Sequence, residues 1–203
     1  VPPGYFVFWG MEDMHLFDFA KQELTKIAAQ EQPFNFTMLT VDTHRTNGYV
    51  CRKCVGLWGE QYENVISCSS KQVNEFVNWI KQQDFYEDTT IILSGDHITM
   101  DADYCNGVDP SYERRTYTNI INPAVKPVND RHREYTTLDL FPTTLAAMGA
   151  TINGNRLGLG TNLFSDSPTL YERFGRKTLE EELTKDSKFF KGITKFDPLY
   201  KSI

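Results

Sequence analysis

Thr89-Thr90-Ile91-Ile92-Leu93-Ser94-Gly95-Asp96-His97-Ile98-Thr99-Met100 decides how this chain is read. The β-branched and aliphatic start predicts a buried strand. Ser94-Gly95 breaks the run, and Asp96-His97 follow at once. In α/β folds, ligands bind in the loops just past the carboxyl ends of strands. A carboxylate and an imidazole there both turn inward only if something accepts both. A divalent cation does, taking a hard oxygen from Asp96 and a neutral nitrogen from His97. The plainer alternative is a capping Asp and a surface His.

Working outward, Ser69-Ser70-Lys71-Gln72 has a capping-box pattern. Val73, Phe76, Val77 and Ile80 recur at i, i+3, i+4 and i+7, which predicts a helix over 70–83. Further upstream, Phe17, Ala20, Leu24, Ile27 and Ala28 predict a helix over 14–30, with Asp13 as its cap. Phe34 to Val41 reads as a strand, and Asp42-Thr43-His44 again set polar groups just past it. Tyr5 to Gly10 reads as a short extended aromatic run. Strands alternating with helices give the βαβ pattern, so the expected class is α/β: a mostly parallel sheet with helices on both faces.

Downstream, residues 99–112 read as loop and 117–122 as a strand stopped by Pro123. Leu138, Phe141, Leu145 and Met148 give a helical face, with Pro142 tolerable only near its first turn and Gly149 suited to the position past its end. Gly158-Leu159-Gly160 lacks the strand–turn–helix setting of a dinucleotide fingerprint. Thr178-Leu179-Glu180-Glu181 has a second capping-box pattern, opening a short helix.

The 203 residues suffice for a domain with a real core, and 40% hydrophobic with 24% charged residues marks a globular chain. A net charge of −6 without a basic cluster argues against nucleic acid as a partner. No apolar run approaches the roughly 20 residues that span a bilayer. Val1-Pro2-Pro3-Gly4 has no initiating Met and no charged leader, so the chain is expected to be a piece of a longer protein.

The four cysteines, at 51, 54, 68 and 105, allow three readings. Zinc would want two C-x-x-C pairs, and only Cys51-Arg52-Lys53-Cys54 is present. A thioredoxin-like motif should open a helix, and Val55 to Gly59 does not read as one. Two structural disulfides in an extracytoplasmic loop over 45–69 are the preferred reading. Sequence alone leaves three connectivities open.

Four segments together resemble the alkaline phosphatase/sulfatase superfamily, in its phosphoglycerol-transferase branch. They are Leu39 to His44, Ser94 to His97, Thr136-Thr137-Leu138-Asp139-Leu140-Phe141-Pro142-Thr143, and Leu157 to Leu163. The resemblance runs from about Tyr5 to about Phe164. It implies that residues 1–168 are the C-terminal part of a catalytic domain and 169–203 a helical extension. It further implies one divalent metal, Mn or Mg favoured and Zn possible. The ligands would be a Glu, a nucleophilic Thr, and a pair matched by Asp96 and His97. The Glu and Thr motif does not occur in this chain. Two of four ligands hold a metal less well than a complete site.

The resemblance carries a mechanism with it. A Thr alkoxide attacks a phosphatidylglycerol-like lipid, diacylglycerol leaves, and a glycan or glycerol-phosphate hydroxyl takes the phosphoglyceryl group. His44 matches a histidine that contacts the substrate phosphate, as a donor to developing charge or to a leaving group. The partners so implied are that lipid headgroup, the glycan acceptor and an N-terminal catalytic and membrane-anchoring portion, outside the cytoplasm. The disulfide pairs it implies are Cys54–Cys68 and Cys51–Cys105.

Other candidates carry a plain reading beside the functional one. Trp9 lines a substrate pocket or packs in the core. Arg45 meets a phosphate or is solvated. His132 is a loop residue unless functional. Asp42 orients His44 or caps a turn, and His15 is structural. Thr137 stands where many relatives have a His, which makes sulfatase chemistry less fitting. Alternatives are a phosphoethanolamine transferase or sulfatase of the same fold, a non-catalytic envelope glycan-binding domain, or a small zinc-binding module built on the cysteines, with zinc released by thiol modification.

Overall fold

The computed structural model describes residues 1–30, 32–129 and 132–193. They form two compact units, divided between Asn122 and Pro123.

In the first unit, helix α1 (Asp13–Ala28) and helix α2 (Gln61–Ile80) pack against strand β1 (Ile91–Ser94), which pairs with β2 (Thr118–Ile121). The apolar stripe of α1 supplies Phe17, Ala20 and Leu24, and that of α2 supplies Phe76, Val77 and Ile80, with Ile91 of β1 closing the cluster. Phe76 is the pivot, with ring centroids 5.1 Å from Phe17 and 5.9 Å from stacked Trp79. Burying such side chains contributes roughly 1.5–3 kcal/mol each.

The sheet differs from the expected one. Strand β1 pairs antiparallel with β2, Ile91 opposite Ile121 and Ser94 opposite Thr118. Residues 34–41 do alternate: Phe34, Phe36 and Met38 lie against the core, while Asn35, Thr37 and Leu39 face out. They join no strand ladder among the described residues. Period-two burial fixes an extended backbone, but a ladder also needs a second edge to bond to. No parallel crossover forms within the described residues. The Tyr5–Gly10 run is likewise not a strand; Val7 and Gly10 bond each other across a tight turn.

One helix start moves and one cap differs. Helix α2 begins at Gln61, so Ser69 and Ser70 are interior rather than caps, and the 45–69 loop ends nine residues early. Helix α1 begins where expected, but Asp13 is its first residue and its side chain bonds elsewhere.

In the second unit, helix α3 (Leu140–Ala147) follows a short 3₁₀ turn, and β3 (Arg156–Leu157) and β4 (Gly160–Thr161) form a small hairpin. Asp139 is buried at the centre. Its Oδ2 accepts from the Thr136 amide at 2.9 Å and its Oδ1 from the Thr161 amide at 2.7 Å. Thr143 donates to the Asp139 carbonyl at 2.6 Å and accepts from the Leu163 amide at 2.9 Å. A Cβ on Gly160 would fall 2.0 Å from the Leu138 carbonyl oxygen, so only glycine fits there. The Leu-Asp-Leu-x-Pro-Thr segment is thus a structural knot, with Pro142 in the first turn of α3 as expected.

Helix α4 (Leu170–Leu183) starts before the Thr178 box. Its working capping box is Thr169 with Glu172, and Glu172 also holds Arg133 at 2.7 Å. Helix α5 (Lys188–Ile193) follows. No helix is long and apolar enough to cross a membrane, among the described residues.

Candidate active site

Two loops of the first unit carry the sequence-derived candidates. The first leaves the extended segment at Val41. Asp13 Oδ1 accepts from the amides of Val41 at 2.7 Å and Asp42 at 3.3 Å. In return Asp42 Oδ1 accepts from the Asp13 amide, at the start of α1, at 3.2 Å. Asp42 therefore caps α1, and no hydrogen bond joins its side chain to His44 among the described residues. The loop closes where the Tyr49 amide donates to the Asp42 carbonyl at 2.7 Å. Gly48 is required here: its φ is +64°, and a Cβ would lie 2.7 Å from both the Asp42 carbonyl oxygen and Val65 Cγ1.

This clamp is an acidic cluster. Burial raises the Asp13 carboxyl above its ordinary range. Burial, then the neighbouring Asp13 charge, pushes Asp42 up to about 6. One oxygen each of Glu12, Asp13 and Asp42 is buried without a hydrogen-bond partner. Glu12 accepts from the Tyr5 hydroxyl at 2.7 Å, which raises that phenol to about 12.

His44 sits at the loop's tip. Its Nδ1 lies 2.8 Å from the Arg45 carbonyl oxygen. A carbonyl only accepts, so Nδ1 carries the proton and Nε2 is left to face outward. Trp9 lies against the imidazole with ring centroids 4.4 Å apart, and its indole N–H donates to the same Arg45 carbonyl at 3.3 Å. Trp9 is 59% exposed, so it is not a core residue. The structure thus brings Trp9, His44 and Arg45 together. The Arg45 guanidinium is exposed, and no ion pair holds it among the described residues.

The second loop follows β1. The Gly95 amide extends the ladder by one bond, to Tyr117 at 2.8 Å. Asp96 and His97 then leave the sheet. Asp96 Oδ1 accepts from the His97 amide at 2.8 Å, and Asp96 Oδ2 lies 3.5 Å from His97 Nε2. His97 Nδ1 donates to the Ile98 carbonyl at 2.7 Å. That bond fixes the tautomer and frees the Nε2 lone pair beside a carboxylate oxygen, the arrangement expected of a metal-ligating histidine. The pair fits one shared cation. It supplies two donors, and no third carboxylate, imidazole or thiol joins them among the described residues.

Residues that sequence reasoning missed hold the two loops together. Tyr62 of α2 donates to the Thr43 carbonyl at 2.8 Å and shares a hydrogen bond with Thr99 at 2.9 Å. Asp101 Oδ2 accepts from the Asn47 amide at 3.0 Å, and this bond with that from Tyr104 lowers its carboxyl. Only the burial of a tyrosine on α2 hints at the first; nothing in the sequence marks the second.

Three other candidates belong to neither loop. His132 is exposed at a φ of +58°, Thr137 is exposed, and His15 packs edge-on against Tyr5 at 5.9 Å. All four cysteines are free thiols. Neither expected pair, Cys54–Cys68 or Cys51–Cys105, lies at disulfide distance. Cys51, Cys54 and Cys68 instead converge, whereas Cys105 takes a hydrogen bond from Arg114 at 3.1 Å.

A sulfatase family model matches residues 2–150, a span containing both loops. The chain belongs to the sulfatase family. Among curated relatives of this sulfatase-family chain is phosphoglycerol transferase I of Salmonella choleraesuis (strain SC-B67). It is 30% identical over 174 residues, 80% of this chain and 22% of the relative. The enzymes of the same name from Salmonella paratyphi B and Salmonella typhi are 32% and 33% identical over 105 residues, 48% of this chain and 14% of theirs. The chain thus spans under a quarter of the length of these relatives. No solved structure matches it.

Proposed function

We propose that residues 1–168 are the C-terminal part of the catalytic domain of an extracytoplasmic, metal-dependent phosphoglycerol transferase, with 169–203 a helical extension. The full protein would move phosphoglycerol from a phosphatidylglycerol-like lipid to a glycan or glycerol-phosphate acceptor through a Thr outside this chain. The parallel sheet of the family would be completed by chain outside these residues. The observation that carries this reading is the matched pair of histidines. His44 and His97 each commit Nδ1 to the next residue's carbonyl, on two loops tied through Tyr62.

Asp96 and His97 would hold the divalent ion, which when bound lowers the pKa of a hydroxyl and neutralises phosphate charge. His44 has the freer task. With Nδ1 fixed, a protonated Nε2 donates to a phosphoryl oxygen or hands its proton to a departing oxygen. Arg45 adds positive charge beside it. Trp9 covers one face of the imidazole, restricts its rotation and gives the lipid glycerol an apolar wall.

The test is release of diacylglycerol from labelled phosphatidylglycerol by the full-length protein. Turnover should require Asp96 and His97. If Asp96→Ala combined with His97→Ala leaves turnover intact, the reading is wrong.

A further inference from the structure

The cysteine cluster shares no ligand with the two histidine loops and plays no part in the transfer chemistry above. Cys51 Sγ is 3.9 Å from Cys68 Sγ and 3.7 Å from Cys54 Sγ. All three sulfurs lie within 4.8 Å of one another. Four zinc ligands at the corners of a tetrahedron, with Zn–S about 2.3 Å, leave their sulfurs about 3.8 Å apart. The two separations from Cys51 match that value, and both are far from a covalent S–S bond, which is about 2.05 Å.

A fourth ligand position is also built. Gln72 follows Cys68 by one helical turn on α2, so both side chains reach the same spot. Gln72 is 96% buried, taken from its 4% exposure, and its Oε1 has no hydrogen-bond partner. Its Nε2 lies 3.6 Å from Cys68 Sγ and 3.9 Å from Cys51 Sγ. A half-turn of the amide puts the unpartnered oxygen in that place. Sulfur and oxygen ligands on one tetrahedral zinc stand about 3.5 Å apart.

The surroundings suit an ion with three thiolates. A cavity of about 290 Å³, lined by Lys53, Cys68, Lys71, Gln72 and Glu75, leads to the cluster and gives a path in. Lys71 lies 3.8 Å from Glu75, which leaves the charge of Lys53 to offset the single net negative charge that three thiolates leave on a divalent zinc. The sequence shows one C-x-x-C and hides the rest, because Cys68 and Gln72 come from a helix that begins earlier than its pattern implies.

We propose that Cys51, Cys54, Cys68 and Gln72 form a tetrahedral structural site for zinc, joining the 51–54 loop to helix α2. Binding converts three thiols to thiolates and releases their protons to solvent.

The experiment uses the 203-residue chain, produced without chelator and equilibrated with zinc, then analysed for metal content and for thiols after alkylation and mass spectrometry. The expected result is one zinc per chain, four alkylatable thiols, and loss of the ion on thiol modification. Cobalt(II) should replace zinc and give the intense absorption of tetrahedral thiolate coordination. Cys54→Ser, at a half-exposed position, should weaken zinc binding at least tenfold. Gln72→Ala should weaken it less, and Gln72→Glu should restore it. Cys105→Ser, and Asp96→Ala with His97→Ala, should keep the thiol-bound ion. An S–S bond between any two of the three residues overturns the proposal, as does a folded chain with free thiols that takes up neither zinc nor cobalt. Unchanged affinity in Gln72→Ala removes that residue from the site.

Discussion

Two groups of candidate metal ligands in this chain stand in opposite conditions. Asp96 and His97 are two donors on an open loop, with side chains 70% and 50% exposed. Cys51 and Cys68 are 4% and 5% exposed, with Cys54 and Gln72 closing around them. An exposed pair is hydrated when empty, so it can wait for donors from elsewhere at little cost. A buried set has already left water and must satisfy itself locally. On the readings proposed above, the difference teaches that the first group is built to be completed and the second to be complete.

The largest effect should fall on turnover. Replacing both Asp96 and His97 by Ala should lower diacylglycerol release by the full-length protein more than about 1000-fold, beyond the roughly 10²–10³ of one stabilising donor. The melting temperature should barely move, since exposed side chains contribute within about 0.5 kcal/mol. A large drop in melting temperature would break the contrast. His44→Ala should cost about 10²–10³ in kcat with the fold intact. Steady-state kinetics on labelled lipid check both.

Next comes the clamp that aims His44. Burial raises the folded-state Asp42 carboxyl from 3.8 to about 6. The folded protein thus binds that proton more tightly than the unfolded chain. Stability from this group is fully present below about 4 and is lost as pH rises through about 6, on the order of 2–3 kcal/mol in all. Asp42→Asn keeps an oxygen for the Asp13 amide and cannot ionise. Its melting temperature should exceed wild type at pH 7 and vary less between pH 4 and 6. Thermal unfolding across that range decides; an unchanged slope would mean that Asp42 does not titrate there.

The smallest effect sharpens the comparison most. Tyr62→Phe removes one hydroxyl that bridges the two histidine loops. It should cost about 1 kcal/mol of stability and lower kcat, while leaving zinc content at the thiol site unchanged. Loss of that zinc would show that the two regions are not independent.

How much of this was legible varies by residue. Phe17, Ala20, Leu24, Phe76, Val77 and Ile80 announced the core, because helical periodicity records which face is buried. Asp96-His97 and Asp42-Thr43-His44 announced the loops, because polar pairs rarely follow apolar strands without cause. Residues 34–41 announced an extended backbone but not its pairing, since alternation is a property of one strand and a ladder of two. The capping boxes at Ser69 and Thr178 misled, because Ser, Thr and Glu also occur freely inside helices; Thr169 with Glu172 had the same pattern and forms the bonds.

By itself the sequence determined the helices, the apolar stripes, the family and the two histidine loops, all carried by neighbours along the chain. Tertiary structure alone decided what the isolated side chains do. It gave Asp42 to a helix end, Asp139 to a hairpin and Tyr62 to two loops at once. It also turned a lone C-x-x-C into a four-cornered cluster by bringing in Cys68 and Gln72. Those roles depend on distances of 3–4 Å between residues up to 37 positions apart, and no local pattern encodes a distance across space.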